Sequence, residues 1–146
     1  MPLNPRQLRM YRFKVDVYRL LPAPSQGAMG LYAPDPHQAG VPCYFDPTPE
    51  YDQPSAVGRN KVENIFTLDG FWFPGEYLPE GGDADVPVDV VDTDMLIMRS
   101  VVGPMTSLIG IWWAAKGNAQ PHPYLLDDYM VYAKRTGTKP PPGVSA

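Results

Sequence analysis

Cysteine and histidine are nearly missing from this sequence of 146 residues, which holds one Cys, Cys43, and two His, His37 and His122. A lone cysteine forms no intrachain disulfide, so the stapled framework of small secreted domains is excluded. The Cys and His residues are also too few for a zinc site. No nucleophile elbow or phosphate loop stands in the chain. Long apolar runs are missing too. None approaches the ~18 residues that span a membrane. Met1-Pro2-Leu3-Asn4-Pro5 leads into no apolar stretch, so no signal peptide is expected. Synthesis and assembly in a reducing cytoplasm is the natural expectation. Charge is sparse at 19%, against roughly 25% in ordinary domains. The net charge of −4 weighs against a free, sequence-reading nucleic-acid binder.

What the sequence does hold is proline and glycine, 19 and 13 residues. Long helices do not survive prolines at that spacing, whereas short strands joined by ordered loops do. The hydrophobic content of 44% and aromatic content of 12% fit a globular chain. A chain of this size buries roughly two thirds of its unfolded surface, enough for one core.

Residues 1–9, with Pro2, Pro5, Arg6 and Arg9, read as an N-terminal arm without periodicity, dispensable for folding. Tyr11, Phe13, Val15 and Val17 then alternate with polar neighbours, the period of a half-buried strand. Residues 22–40 form a long loop whose Met29, Leu31 and Tyr32 suggest docking. Val41 to Phe45 gives a second strand, and residues 46–60 a second long loop. Asp69-Gly70 between Ile65–Leu68 and Phe71–Phe73 reads as a hairpin turn. Further strands are expected over Val86–Val91, Met95–Met98, Leu108–Ala114 and Tyr129–Ala133. Asp127-Asp128 is alternatively the cap of a short helix. The tail, residues 136–146, carries Pro140, Pro141 and Pro142 and is expected to be extended. Six to eight short strands over residues 10–135 make a single all-β domain, a small β-barrel or sandwich with long Pro-rich loops and extended terminal arms.

Three groups of residues are candidates for function. The acidic run Glu76, Glu80, Asp83, Asp85, Asp89, Asp92 and Asp94 holds no Lys or Arg. It reads first as a solvated or partner-facing edge, with calcium binding and paired-carboxylate catalysis as the lesser alternatives. The opposite charge gathers at the chain ends, as Arg6, Arg9, Arg12, Lys14 and Arg19 and as Lys134, Arg135 and Lys139. Such a dipolar protomer guides head-to-tail association, or turns its basic arm to DNA phosphates. Alternation sends Trp72 away from Phe71 and Phe73 and splits Trp112 from Trp113, which makes Trp72 and Trp113 interaction candidates. Cys43 with His37 is the one pair that resembles an activated nucleophile, and a buried strand cysteine beside a loop histidine is the preferred reading. The chain is not expected to be an enzyme or to carry a cofactor.

The order of these features resembles a family. Tyr11-Arg12-Phe13-Lys14-Val15-Asp16-Val17-Tyr18-Arg19-Leu20 looks like the opening strand of small phage neck proteins, and Val41-Pro42-Cys43-Tyr44-Phe45 follows it. Asp69-Gly70-Phe71-Trp72-Phe73-Pro74-Gly75 resembles their aromatic strand and Pro-Gly turn. Gly110 to Gly117 and Tyr129 to Lys134 fit the last strands. Together, over about residues 10–135, these are similar to the head-completion, or stopper, proteins of tailed phages. The resemblance implies a small β-barrel that forms a ring with its own copies. The ring sits between the portal or adaptor protein and the tail or tail-terminator protein. One loop, in 22–40 or 46–60, would reach the packaged DNA, and the location would be the virion neck. The long Pro-rich loops and tail depart from a simple small barrel. A capsid decoration protein is the runner-up, and a ligand-binding barrel or small enzyme comes after it. No membrane partner is expected.

Overall fold

A computed structural model describes residues 3–22, 30–47, 68–121 and 127–145. Met29, His122 and most of the 46–60 loop lie outside the described residues. One short helix, α1 (Pro5–Met10), precedes nine strands: β1 (Phe13–Tyr18), β2 (Gln38–Asp46), β3 (Leu68–Pro74), β4 (Glu76–Tyr77), β5 (Val86–Pro87), β6 (Met95–Ser100), β7 (Trp112–Ala115), β8 (Gln120–Pro121) and β9 (Asp128–Gly137). The main sheet runs β3-β2-β1-β6-β7-β9-β8, and β3 also pairs with β9 along its whole length. Six antiparallel strands therefore close into a barrel, the all-β architecture expected from the alternation. Closure removes the free edges that an open sheet exposes.

The alternation in β1 does what its period requires. Phe13, Val15 and Val17 point inward and are buried beside Val41, Cys43 and Phe45 of β2. Phe71 and Phe73 of β3 join them, while Trp72 turns outward and is half-buried. Phe45, Phe71 and Trp113 form the aromatic centre, with ring centroids 5.2 to 5.3 Å apart. Contacts of this kind add about 0.5–1.5 kcal/mol each beyond burial.

Several expectations are corrected. Asp69-Gly70 is no turn: both residues lie inside β3, and the Asp69 carboxylate accepts a 2.7 Å hydrogen bond from the Trp113 indole. A partner 44 positions away overrides the local turn preference. The strand expected over Leu108–Ala114 starts only at Trp112. Met105–Leu108 is a 3-10 turn, and Gly110 follows at φ +87, a conformation that breaks a strand. Of the Val86–Val91 stretch, only Val86–Pro87 is a strand. Asp128 opens β9 instead of capping a helix.

A smaller cluster sits outside the barrel wall. Tyr18, Met95, Ile97 and Trp112 pack there under Tyr32 and Val144. The tail, expected to be extended, makes a turn closed by Val144 N–H to the Pro141 carbonyl, and Pro142 accepts from Tyr32 N–H at 2.8 Å. Trp113 is thus an interior residue and not a surface anchor, and its neighbour Trp112 is covered by the chain's own tail.

Candidate interaction site

Asn4 starts α1 with a capping box: its side chain accepts from Gln7 N–H, and the Gln7 amide oxygen accepts from Asn4 N–H. Pro5 occupies the first turn, where its missing N–H costs nothing. Six residues are too few for a helix to persist unaided. What fixes this one is Asp128, whose fully buried carboxylate takes three donors. Arg6 Nη2 reaches it at 2.7 Å, Gln7 Nε2 at 3.0 Å and Tyr11 Oη at 2.6 Å. Burial, and next the hydrogen bond to Asp128, push the Tyr11 phenol well above its ordinary range. The segment expected as an arm is a docked helix.

Docked this way, α1 becomes one wall of an open cleft of about 630 Å3. Leu3, Leu8 and Tyr11 line that wall, and Lys14, Gly40 and Pro42 of the β1–β2 seam form the floor. Tyr77 of β4 and the loop after it, with Leu78, Asp83 and Asp85, form the other wall. A turn at Pro79, where Gly82 N–H donates to the Pro79 carbonyl, shapes that loop. Leu8 is 61% exposed and Leu78 59% exposed. They are the two most exposed large apolar side chains among the described residues, and they share one concavity. Large apolar side chains gathered at a surface mark an interaction site.

The remaining candidates are dispersed. Asp83 and Asp85 are on the cleft, but Asp89 is not. Its carboxylate accepts from Arg19 Nη1 at 2.9 Å and lies 2.9 Å from His37 Nε2. The Arg19 hydrogen bond, with help from His37, holds the Asp89 carboxyl below the usual carboxylate range. Asp94 is fully buried and takes Arg19 as a fork, Nε to Oδ1 at 3.1 Å and Nη2 to Oδ2 at 2.9 Å. The acidic run is therefore not one solvated edge. Arg19–Asp94 also joins the basic and acidic segments inside one chain, and Arg6–Asp128 and Arg99–Asp16 are further ion pairs within it. Arg9 and Arg12 are exposed near α1, and Leu31 is exposed beside the base of its loop. Tyr32 is half-buried, donating its hydroxyl to the Thr93 carbonyl at 2.6 Å. Lys134 is exposed on β9, and Arg135 lies 5.3 Å from the Trp113 ring centroid and 3.9 Å from Asp69. Cys43 is buried in the barrel and burial pushes its thiol up, whereas His37 is on the outside against Asp89.

Among the described residues, no helix is long and apolar enough to cross a membrane. No three His, Cys, Asp or Glu side chains gather there as a metal would require. Sequence reasoning missed Leu8 and Leu78, and it gave Asp94 and Asp128 other roles, as an edge carboxylate and a helix cap. Only the Asn4-x-x-Gln7 box with Pro5 signalled the helix that creates the cleft. No family model, curated protein or solved structure matches the chain.

Proposed function

We propose that this chain is a virion structural protein of the tailed-phage neck. It acts as a head-closure, or stopper-type, component that assembles as a ring between the portal or its adaptor and the tail. The observation that carries the reading is a sealed barrel that keeps apolar side chains exposed in a surface cleft. The interior is filled and the six strands close on themselves, yet Leu8 and Leu78 remain exposed in a shared cleft. A barrel without free edges associates through its side chains, and this cleft is where they are apolar. The resemblance of the strand sequences to stopper proteins supplies the place in the particle.

Two more features suit the role. The chain flanking residues 23–29 is held to the barrel by the Leu20–Tyr32 bridge and the Tyr32–Thr93 hydrogen bond. Arg9 and Arg12 are exposed together at the start of the barrel, where they are free to meet DNA phosphates non-specifically. Cryo-EM localisation of the chain in its parent particle tests the reading. A single ring at the vertex between portal and tail is expected. Copies spread over the capsid lattice would make it a decoration protein, and a particle without it would sink both.

A further inference from the structure

The cleft has a counterpart across the barrel. In the closed order β3-β2-β1-β6-β7-β9, the β1–β2 seam and the β7–β9 seam lie three strands apart in either direction. In a six-stranded barrel they occupy opposite walls. Lys14 and Pro42, cross-strand partners on the first seam, are the floor of the cleft. Where β8 continues that wall beside β9 lies a hollow of about 320 Å3, lined by Lys116, Gln120 and Pro121 and by Met130 and Tyr132 of β9 among others. Lys134 is exposed at the next outward position of β9, opposite Ala114 of β7.

The loop that walls the cleft is acidic and the far wall is basic, each beside apolar surface. Asp83 and Asp85 stand at the cleft, Glu80 is exposed in the same loop, and Lys14 is the one cation among the lining residues. On the far wall Lys116 and Lys134 are exposed, with Met130 and Tyr132 half-buried on the same face of β9 as Lys134. The nearby carboxylate of Asp92 already accepts from Gly117 N–H at 2.9 Å.

We infer that the occupant of the cleft is a second copy of this chain, presenting its β7–β9 wall. Leu8 and Leu78 pack on Met130 and Tyr132 of the next copy, while Asp83 and Asp85 meet its Lys116 and Lys134. Cleft against cleft would set these acids against themselves, which selects the head-to-tail contact. Such a contact between unlike faces closes into a ring when the rotation per step divides a full turn. This inference rests on the ring reading above and names the surfaces that build the ring.

Light scattering on the full chain tests it, with two variants. Leu78→Asp blocks the cleft, and Lys116→Glu with Lys134→Glu reverses the wall. The wild type is expected to form concentration-dependent oligomers. Each variant alone is expected to be monomeric with an unchanged melting temperature. Their equal mixture is expected to give a dimer and nothing larger, because it retains one intact cleft and one intact wall. Should Leu78→Asp lower the melting temperature, Leu8→Asp probes the same cleft. Oligomers indifferent to either variant overturn the inference, as does a mixture that stays monomeric. A wild-type chain that remains monomeric at millimolar concentration also overturns it. In each of these cases the ring reading stands or falls separately, on the localisation in the particle.

Discussion

Tyr11 and Asp128 stand 117 positions apart in sequence, yet the Tyr11 hydroxyl donates to the Asp128 carboxylate at 2.6 Å. The bond joins the entry of β1 to the start of β9 and fixes the helix that walls the cleft. The carboxylate is fully buried, and Arg6 and Gln7 of α1 supply its other donors. Residues 4–10 are thereby part of the fold, contrary to the reading of residues 1–9 as a dispensable arm.

Asp128→Ala is expected to cost about 3 kcal/mol, because the buried Tyr11 hydroxyl and Gln7 amide lose their acceptor together. Deletion of residues 1–10 is expected to cost a similar amount by removing two of the three donors to a buried charge. Urea unfolding of both variants measures this. A deletion variant as stable as the full chain would show that α1 is an accessory after all.

Arg19 holds Asp94 as a fork from within the barrel wall. Arg19→Ala leaves that carboxylate buried with the Val91 N–H as its remaining donor in this network. The expected loss is about 3–5 kcal/mol. Arg19→Lys keeps the charge but not the planar fork, so a smaller loss is expected. Equal losses in thermal melts of the two variants would mean that geometry is irrelevant here.

How far the chain announced this structure follows from the range of each interaction. The barrel was legible because the alternation of Tyr11, Phe13, Val15 and Val17 is local and inward burial follows from it directly. Asp69-Gly70 misled because a turn preference is also local, while the Trp113 indole that draws Asp69 into β3 is 44 positions distant. Asp94 and Asp128 look like ordinary surface acids until Arg19 and Tyr11 fold against them. The cleft was hidden for the same reason. Leu8 stands between Gln7 and Arg9 and Leu78 between Tyr77 and Pro79, with no local pattern linking them, and only the docked helix and the β4 loop place them together.

Gly143 sits at φ +97, where a Cβ would collide with the Tyr32 backbone carbonyl. Gly143→Ala is therefore expected to lift the tail from Tyr32, Trp112 and Tyr18 and to cost at least about 1 kcal/mol. The barrel interior should be unchanged. Limited proteolysis reports the released tail, and the Trp fluorescence reports the exposure of Trp112. A variant whose tail is as resistant as the wild type would show that the close approach is relieved elsewhere.

Cys43 is fully buried and burial raises its thiol above the ordinary range. The thiolate is the reactive form, so an alkylating reagent at neutral pH is expected to leave the native protein unmodified and to react once it is unfolded in urea. Rapid labelling of the folded chain would mean that the barrel opens far more readily than its packing implies.

Asp89 gives the fold a pH dependence whose sign can be worked out. Its folded pKa is lowered chiefly by the Arg19 hydrogen bond and further by His37, so folding favours the ionised carboxylate. That stabilisation is complete above the unfolded value of about 3.9 and disappears as the pH falls through the lower folded value. Asp89→Asn removes the titration. The stability curves of wild type and variant, measured by urea unfolding at a series of pH values, are expected to stand apart at neutral pH. They should approach each other below about pH 4, with the wild type losing the difference. The gap should be small and should shrink in high salt, because the carboxylate is half exposed and its ion pairs are screened. Curves that run parallel down to strongly acid pH would mean that folding leaves the Asp89 pKa unchanged, and that its ion pair with Arg19 adds nothing to the barrel.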